Sequence, residues 1–165
     1  MATQQSELQP LGKSVPKAER RKLAHLFSID RMAEDQYLGS QESPAKCYHI
    51  CHRGELPVGF IWLALSRDGD APDHYYVHVD YVYVLPERRG GMSTWLAGEV
   101  LRKFDSWVKR QRFEPDATVV SSSSPVTSEG NGFVHHLNLK LRAYCNERQL
   151  RMIGDGLEEN GGNRL

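Results

Sequence analysis

The sequence predicts an α/β fold in which an antiparallel meander leads into a parallel strand–helix–strand crossover. Three observations predict it. Residues 46–65 read as a hairpin: an alternating run over 46–53, the turn RGELP, and an apolar run from Val58 to Leu65. The segment HYYVHVDYVYVL (74–85) is a long strand rich in β-branched and aromatic residues. Directly after it, Met92, Leu96, Val100, Phe104 and Val108 recur every four residues, and Trp95, Leu101 and Trp107 widen the stripe of an amphipathic helix. A strand feeding such a helix, with a further strand behind it, is a crossover unit of right-handed connection.

The bulk numbers suit one globular domain. The chain has 165 residues, 39% hydrophobic and 25% charged, enough to bury a sizeable core. Lys+Arg and Asp+Glu are 21 each, so net charge draws it neither to nucleic acid nor to a membrane surface. Cys47, Cys51 and Cys145 are odd in number and lack framework spacing, which points to a reducing compartment and a cytoplasmic protein. The stretch MATQQSELQP is polar and no run reaches the length of a transmembrane helix.

Residues 1–13, polar and carrying Pro10 and Gly12, predict a mobile arm. Ser14 can cap a helix with Pro16 in its first turn, and Leu23, Leu26 and Phe27 share a face. Ile29, Met32, Ala33 and Tyr37 mark a second short helix. Val58 to Leu65 is apolar on both faces, so its strand belongs at the centre of the sheet. The 74–85 strand exceeds the usual length, which predicts a bulge or a change of neighbour along it. In the long helix Glu99 and Lys103 form an i,i+4 pair, while Lys109, Arg110 and Arg112 crowd the C-terminal turn, where the dipole favours cations. Pro115 stops it. ATVVSS (117–122) reads as a strand, 133–141 as a short helix, and 143–153, ambiguous by periodicity, as a strand. Residues 154–165 predict a disordered tail, which leaves 14–153 as the domain.

Between the long strand and its helix stands LPERRGGMST. The backbone N–H groups of Arg89 to Thr94 lack intrahelical partners and the helix dipole adds partial positive charge there. Gly90 and Gly91 permit left-handed angles and close approach, and Arg88 and Arg89 add formal charge. Together these make a nest for a phosphate or pyrophosphate; the plainer alternative is a tight turn with solvated arginines. The loop is neither a Walker loop nor Gly-x-Gly-x-x-Gly.

The loop and its setting resemble the GNAT superfamily of acetyl-CoA-dependent N-acetyltransferases, where a Val-x-Pro strand end leads to Arg/Gln-x-x-Gly-x-Gly/Ala and a long helix. Val84-Leu85-Pro86 matches the strand end, Arg88-Arg89-Gly90-Gly91-Met92-Ser93 the loop, and GELPVGFIWLAL the family's hairpin. The element order agrees from about residue 17 to residue 153. The spacing from Pro86 to Arg88 is one residue short, and Ser93 or Thr94 stands at the last glycine position. The chain therefore reads as an atypical member with a shortened pyrophosphate loop. The resemblance implies a GNAT-like mixed sheet with helices on both faces. It implies acetyl-CoA as co-substrate and no metal, with Arg88, Arg89, Gly90, Gly91, Met92, Ser93 and Thr94 gripping the pyrophosphate. The backbone at Val82, Tyr83 and Val84 pairs with the pantetheine arm. The reaction implied is direct acetyl transfer to a primary amine of a small molecule, peptide or protein; a homodimer is a further expectation. The rival reading is a GNAT-like fold acting as a non-catalytic binding or inhibitory protein.

Such a transfer must take a proton from an ammonium and can return one to the departing thiolate. Simple alternation puts His74, Tyr76, His78, Asp80, Val82 and Val84 on one strand face and Tyr75, Val77, Val79, Tyr81 and Tyr83 on the other. The resemblance places a carboxylate four to six residues before the strand-end valine, and counting back from Val84 reaches Asp80 and His78. An imidazole titrates close to neutral pH and needs no shift, whereas a free carboxyl lies well below it and serves as base only where burial raises its pKa; His78 and Asp80 are both candidates, alone or paired through a water. A merely solvated polar face is the structural alternative. Tyr144, the only tyrosine after residue 83, is the general acid the resemblance implies, with a packed aromatic as the alternative. In CYHICH (47–52), Cys47 and Cys51 stand about 13 Å apart along a strand, too far to share one zinc. No thiol-nucleophile motif accompanies them.

Overall fold

The computed structural model describes residues 7–24, 28, 34, 37, 45–111, 116–123 and 128–154. Helix α1 (Lys17–Ala24) precedes strands β1 (Lys46–Cys51), β2 (Pro57–Arg67) and β3 (His74–Val84). Helix α2 (Met92–Gln111), β4 (Thr118–Ser123), α3 (Ser128–Glu147) and β5 (Arg151–Gly154) follow. The sheet order is β1-β2-β3-β4-β5, antiparallel as far as β3 and parallel beyond it. This is the expected meander followed by crossovers.

β2 alternates between two cores, which is why it reads as apolar on both faces. On one face Ile61 and Leu63 join Tyr75, Val77, Val79 and Val119 beneath α2 and α3. On the other, Phe60, Trp62 and Ala64 join Cys47 and Tyr83 around Tyr37, with Leu23 of α1 against them. Helical residues thus cover both faces of the sheet.

The structure departs from expectation in three places. The first is the arm. The Gln9 N–H donates to the Cys51 carbonyl (2.9 Å), the Arg53 N–H to the Glu7 carbonyl (2.8 Å) and the Val15 N–H to the Cys47 carbonyl (2.8 Å). Residues 7–15 therefore run antiparallel along the outer edge of β1, bridging at Leu8↔His52 and Ser14↔Tyr48. Backbone groups make these bonds and only Leu11 and Val15 are buried, so the polar composition concealed the pairing. A Cβ at Gly12 would lie 2.1 Å from the His49 ring, so any larger residue there would have to displace that imidazole. The expected helix over 29–37, save Glu34 and Tyr37, and the tail beyond Gly154 lie outside the described residues, as do residues 1–6.

The second is α3, which spans Ser128–Glu147 rather than 133–141, so residues 143–147 are helix and not strand. Leu137, Leu141, Tyr144 and Cys145 continue one buried stripe against α2, and that burial outweighs the strand reading. Gln149, at φ 58°, then turns the chain into the short β5.

The third is β3. Its register with β2 passes from Leu63↔Val79 to Trp62↔Tyr81, so Asp80 is the extra residue of a β-bulge. A bulge inverts the alternation beyond it. Val82 and Val84 consequently pack toward the helix-side core and Tyr83 toward the opposite one. Simple alternation, which grouped Val82 and Val84 with His78, is corrected by one inserted residue. The strand's length announced an irregularity but not its position.

Candidate functional site

Among the described residues β4 pairs with β3 from His74↔Thr118 to Val79↔Ser123, whereas β3 continues to Val84. Among those residues the paired stretch of the two parallel strands ends at a fork whose mouth coincides with the bulge. His78 and Ser122 are register partners at that mouth and share a face. The His78 Nδ1 lies 2.5 Å from Ser122 Oγ, and its Nε2 lies 2.5 Å from Asp80 Oδ1. The two side chains of the His78–Asp80 pair are 41% and 26% exposed, so solutes can reach them. A carboxylate oxygen accepts, which favours the ring tautomer with its hydrogen on Nε2. In that tautomer Nδ1 presents a lone pair into which the Ser122 hydroxyl donates. The result is a Ser–His–Asp chain of hydrogen bonds. The sequence singles out His78 and Asp80 but not Ser122. Within the run SSSS (121–124) nothing distinguishes one serine; only the parallel register of β4 on β3 does.

The glycine loop lies at the other end of the same strand. A short 3-10 turn over Pro86–Arg88 leads through Gly90 and Gly91 into α2. Gly91 sits at φ +70°, and a Cβ at Gly90 or Gly91 meets nothing within 4 Å, so the loop backbone faces open space. The Met92 amide donates to the Arg89 carbonyl (3.1 Å); among the described residues no backbone carbonyl takes those of Gly90, Gly91, Ser93 or Thr94 at the loop. Helix α2, twenty residues long, directs its positive end here. The Met92 side chain is buried and anchors the helix start in the core.

The arginines have partners within the fold. Arg88 Nη2 lies 3.2 Å from Glu55 Oε2 of the β1–β2 turn, and Arg89 Nε donates to the Val84 carbonyl at 3.0 Å. The Leu85 N–H donates to the Val58 carbonyl (2.9 Å). The loop is thereby clamped to the hairpin, and the two sequence motifs that carried the resemblance touch. The Val82 and Val84 side chains pack toward one core and Tyr83 into the other, so what this stretch offers a ligand is backbone.

Tyr144 stands elsewhere. It lies on α3 in the helix-side core, where its hydroxyl donates to Asp105 Oδ1 (3.0 Å) and the Arg148 guanidinium sits 3.8 Å from its ring centroid. Burial, then the hydrogen bond to Asp105, pushes its pKa up to about 12. Asp105 is separated from the glycine loop by roughly 20 Å of helix. His78 belongs to the opposite face of the sheet from Tyr75, Val77 and Val79, which pack under the helices. The fold brings His78, Asp80 and Ser122 together and leaves Tyr144 apart from them. All three cysteines are free and buried, and burial raises the Cys47 and Cys145 thiols to about 12 and about 11. Neither supplies a thiolate. Among the described residues no helix is long and apolar enough to cross a membrane.

No family model and no curated protein matches the sequence. Solved structures match in three dimensions. A ribosomal-protein-alanine N-acetyltransferase from Brucella melitensis biovar Abortus 2308 aligns over 96% of this chain and 96% of its own, with a TM-score of 0.50 and 11% identity. An aminoglycoside N-acetyltransferase in complex with CoA aligns over 100% of this chain and 97% of its own, at a TM-score of 0.47 and 13% identity. A possible acetyltransferase from Clostridium difficile 630 aligns over 96% and 98%, at 0.45 and 12%. The first likeness, at so low an identity, speaks for the fold alone: the mixed five-stranded sheet is that of the GNAT acetyltransferases.

Proposed function

We propose that this GNAT-fold protein transfers an acetyl group from acetyl-CoA to a primary amine by direct transfer. One observation carries the reading: a single strand has a polar, proton-accepting constellation where its neighbour diverges and an open glycine loop at its end. Asp80 to Val84 spans on the order of 13 Å of extended backbone. In this reading the pantetheine arm lies along that backbone in the fork, the diphosphate rests on the loop amides, and the thioester lies beside the bulge. His78 takes the ammonium proton; Asp80 fixes its tautomer and stabilises the imidazolium that forms. The free amine then attacks the thioester carbonyl. Asp80, with Tyr76 and Tyr81 beside it in the strand, suits a cationic acceptor.

Two measurements test this. Acetyl-CoA at a hundredfold over its Kd stabilises a protein that binds it by about 2.7 kcal/mol, read as a raised Tm. A melting point unmoved by acetyl-CoA overturns the reading. A screen with labelled acetyl-CoA against an alanine-terminated peptide, aminoglycosides and polyamines, with a bare-hydrolysis control, identifies the acceptor class.

The second reading, a non-catalytic binding or inhibitory protein on the same fold, draws on the two loop arginines. Glu55 and the Val84 carbonyl already engage them, which leaves the nest with less formal charge to offer a diphosphate. It predicts no thermal shift with acetyl-CoA and no acetylated amine.

A further inference from the structure

Both ring nitrogens of His78 are occupied. Asp80 Oδ1 stands against Nε2 and Ser122 Oγ against Nδ1; in the neutral Nε2–H tautomer the serine hydroxyl fills the lone pair on Nδ1. An incoming ammonium therefore has no direct line to the imidazole. The atom it can meet is Ser122 Oγ, whose lone pairs remain to accept while its hydrogen points at the ring. Ser122 is partly exposed and belongs to the last pair but one of the β3–β4 ladder among the described residues, so its hydroxyl sits at the mouth of the fork.

We propose that Ser122 is a catalytic residue that carries the acceptor's proton to His78. The inference rests on the acetyl-transfer reading and extends it. As the amine approaches, one ammonium N–H bond breaks and an O–H bond forms at Ser122 Oγ. The hydrogen already on Oγ passes to His78 Nδ1 in the same movement, so the serine is unchanged and the ring becomes an imidazolium held by Asp80. The amine lone pair attacks the thioester carbonyl carbon. When the C–S bond breaks, the same path returns the proton from Nδ1 through Oγ to the departing thiolate. The second proton of the attacking nitrogen goes to solvent. The balance is one amide, one thiol and one proton. This arrangement needs no tyrosine acid, which accords with the placement of Tyr144 among the helices.

A serine that merely braced the ring would have a different signature from a relay. Ser122→Ala and Ser122→Thr are compared with the wild type on the amine of highest turnover in the screen. For a relay, Ala lowers kcat by about 100-fold or more and displaces the acid limb of the pH–rate profile, the acetyl-CoA Kd stays unchanged, and Thr, which keeps the hydroxyl, recovers most of the rate. Nitrogen-15 NMR of histidine-labelled protein gives the neutral His78 ring as the Nε2–H tautomer. Incubation with acetyl-CoA alone leaves the intact mass unchanged. Wild-type kcat and pH profile in Ser122→Ala overturn the proposal, as does an Nδ1–H tautomer, because the serine would then be an acceptor. An acetyl adduct on Ser122 overturns it as well, since the residue would be a nucleophile. A screen without any acetylated amine overturns the acetyl-transfer reading, and this inference with it.

Discussion

Asp80 is the residue that β2 skips, and its placement follows from that irregularity. Ahead of it His78 alternates regularly, and beyond it the strand has turned over, so the carboxylate is held beside the imidazole while the strand's remaining side chains return to the cores. Replacing Asp80 by Asn substitutes a group that both donates and accepts, and the ring tautomer is no longer fixed. The expected outcome is a kcat lowered by about 10²- to 10⁴-fold with acetyl-CoA affinity preserved, measured by steady-state kinetics beside a binding titration. The two loop glycines separate charge from strain in the same way. Both have open space where a Cβ would go, but only Gly91 has a positive φ. Gly90→Glu should cut acetyl-CoA affinity steeply with little change in Tm, because it adds a negative charge to the nest without bending the backbone. Gly91→Ala adds no charge and should cost roughly 1–2 kcal/mol of stability from the left-handed conformation. Equal affinities for wild type and Gly90→Glu would place the diphosphate elsewhere.

At the scale of elements, Glu99 ties the N-terminal edge segment to α2. Its Oε2 accepts from the Leu11 amide and from Arg102 Nη2, both at 2.8 Å. Burial alone would raise this carboxyl; the hydrogen bonds from Arg102 and the Leu11 amide, with the charges of Arg102 and Lys103, outweigh it and hold the pKa below the ordinary value. A depressed carboxyl contributes stability that is fully present above its unfolded value and is lost as pH falls through its folded one. Protection of the Leu11 amide in hydrogen exchange should therefore hold at neutral pH and fade on the acid side of the usual carboxylate range. Glu99→Gln should weaken that protection at neutral pH by about 1.5–3 kcal/mol, the worth of a hydrogen bond to a charged group. The α2–α3 contact gives a further test. Tyr144→Phe removes one donor from Asp105, which keeps Lys109 at 2.6 Å. The expected loss is about 1 kcal/mol of stability with kcat unchanged. A kcat lowered by two orders of magnitude would instead restore Tyr144 as the general acid.

At the scale of the molecule, the site exists because two secondary-structure regimes meet in one sheet. The antiparallel hairpins bring β3 alongside β2 over its whole length, while among the described residues the parallel crossover pairs β4 with the first half of β3. The fork is the difference between those two lengths. The polar constellation lies on the sheet face that also carries α1 and Tyr37, away from the long helices. The hairpin turn contributes through the Arg88–Glu55 pair. Being half exposed, that pair orients the loop more than it stabilises the fold, for surface pairs are worth about 0–1 kcal/mol.

The sequence by itself determined the layers and the loop. Period-two and period-four patterns reflect which residues must leave water, and glycine beside a helix start reflects a backbone conformation that few other residues adopt. Both are local, so β2, β3, α2 and the Gly90–Gly91 turn were legible, as was the likeness of loop and hairpin to one family. The tertiary structure alone decided what depends on register. The pairing of residues 7–15 along β1 uses backbone groups that every residue has. The continuation of α3 to Glu147 depends on a stripe whose value appears only when α2 is there to cover it. The bulge at Asp80 is a mismatch between two strands and cannot be read from one. Ser122 became a partner of His78 because β4 slid into a particular alignment, and a one-residue shift would have turned its hydroxyl to the other face.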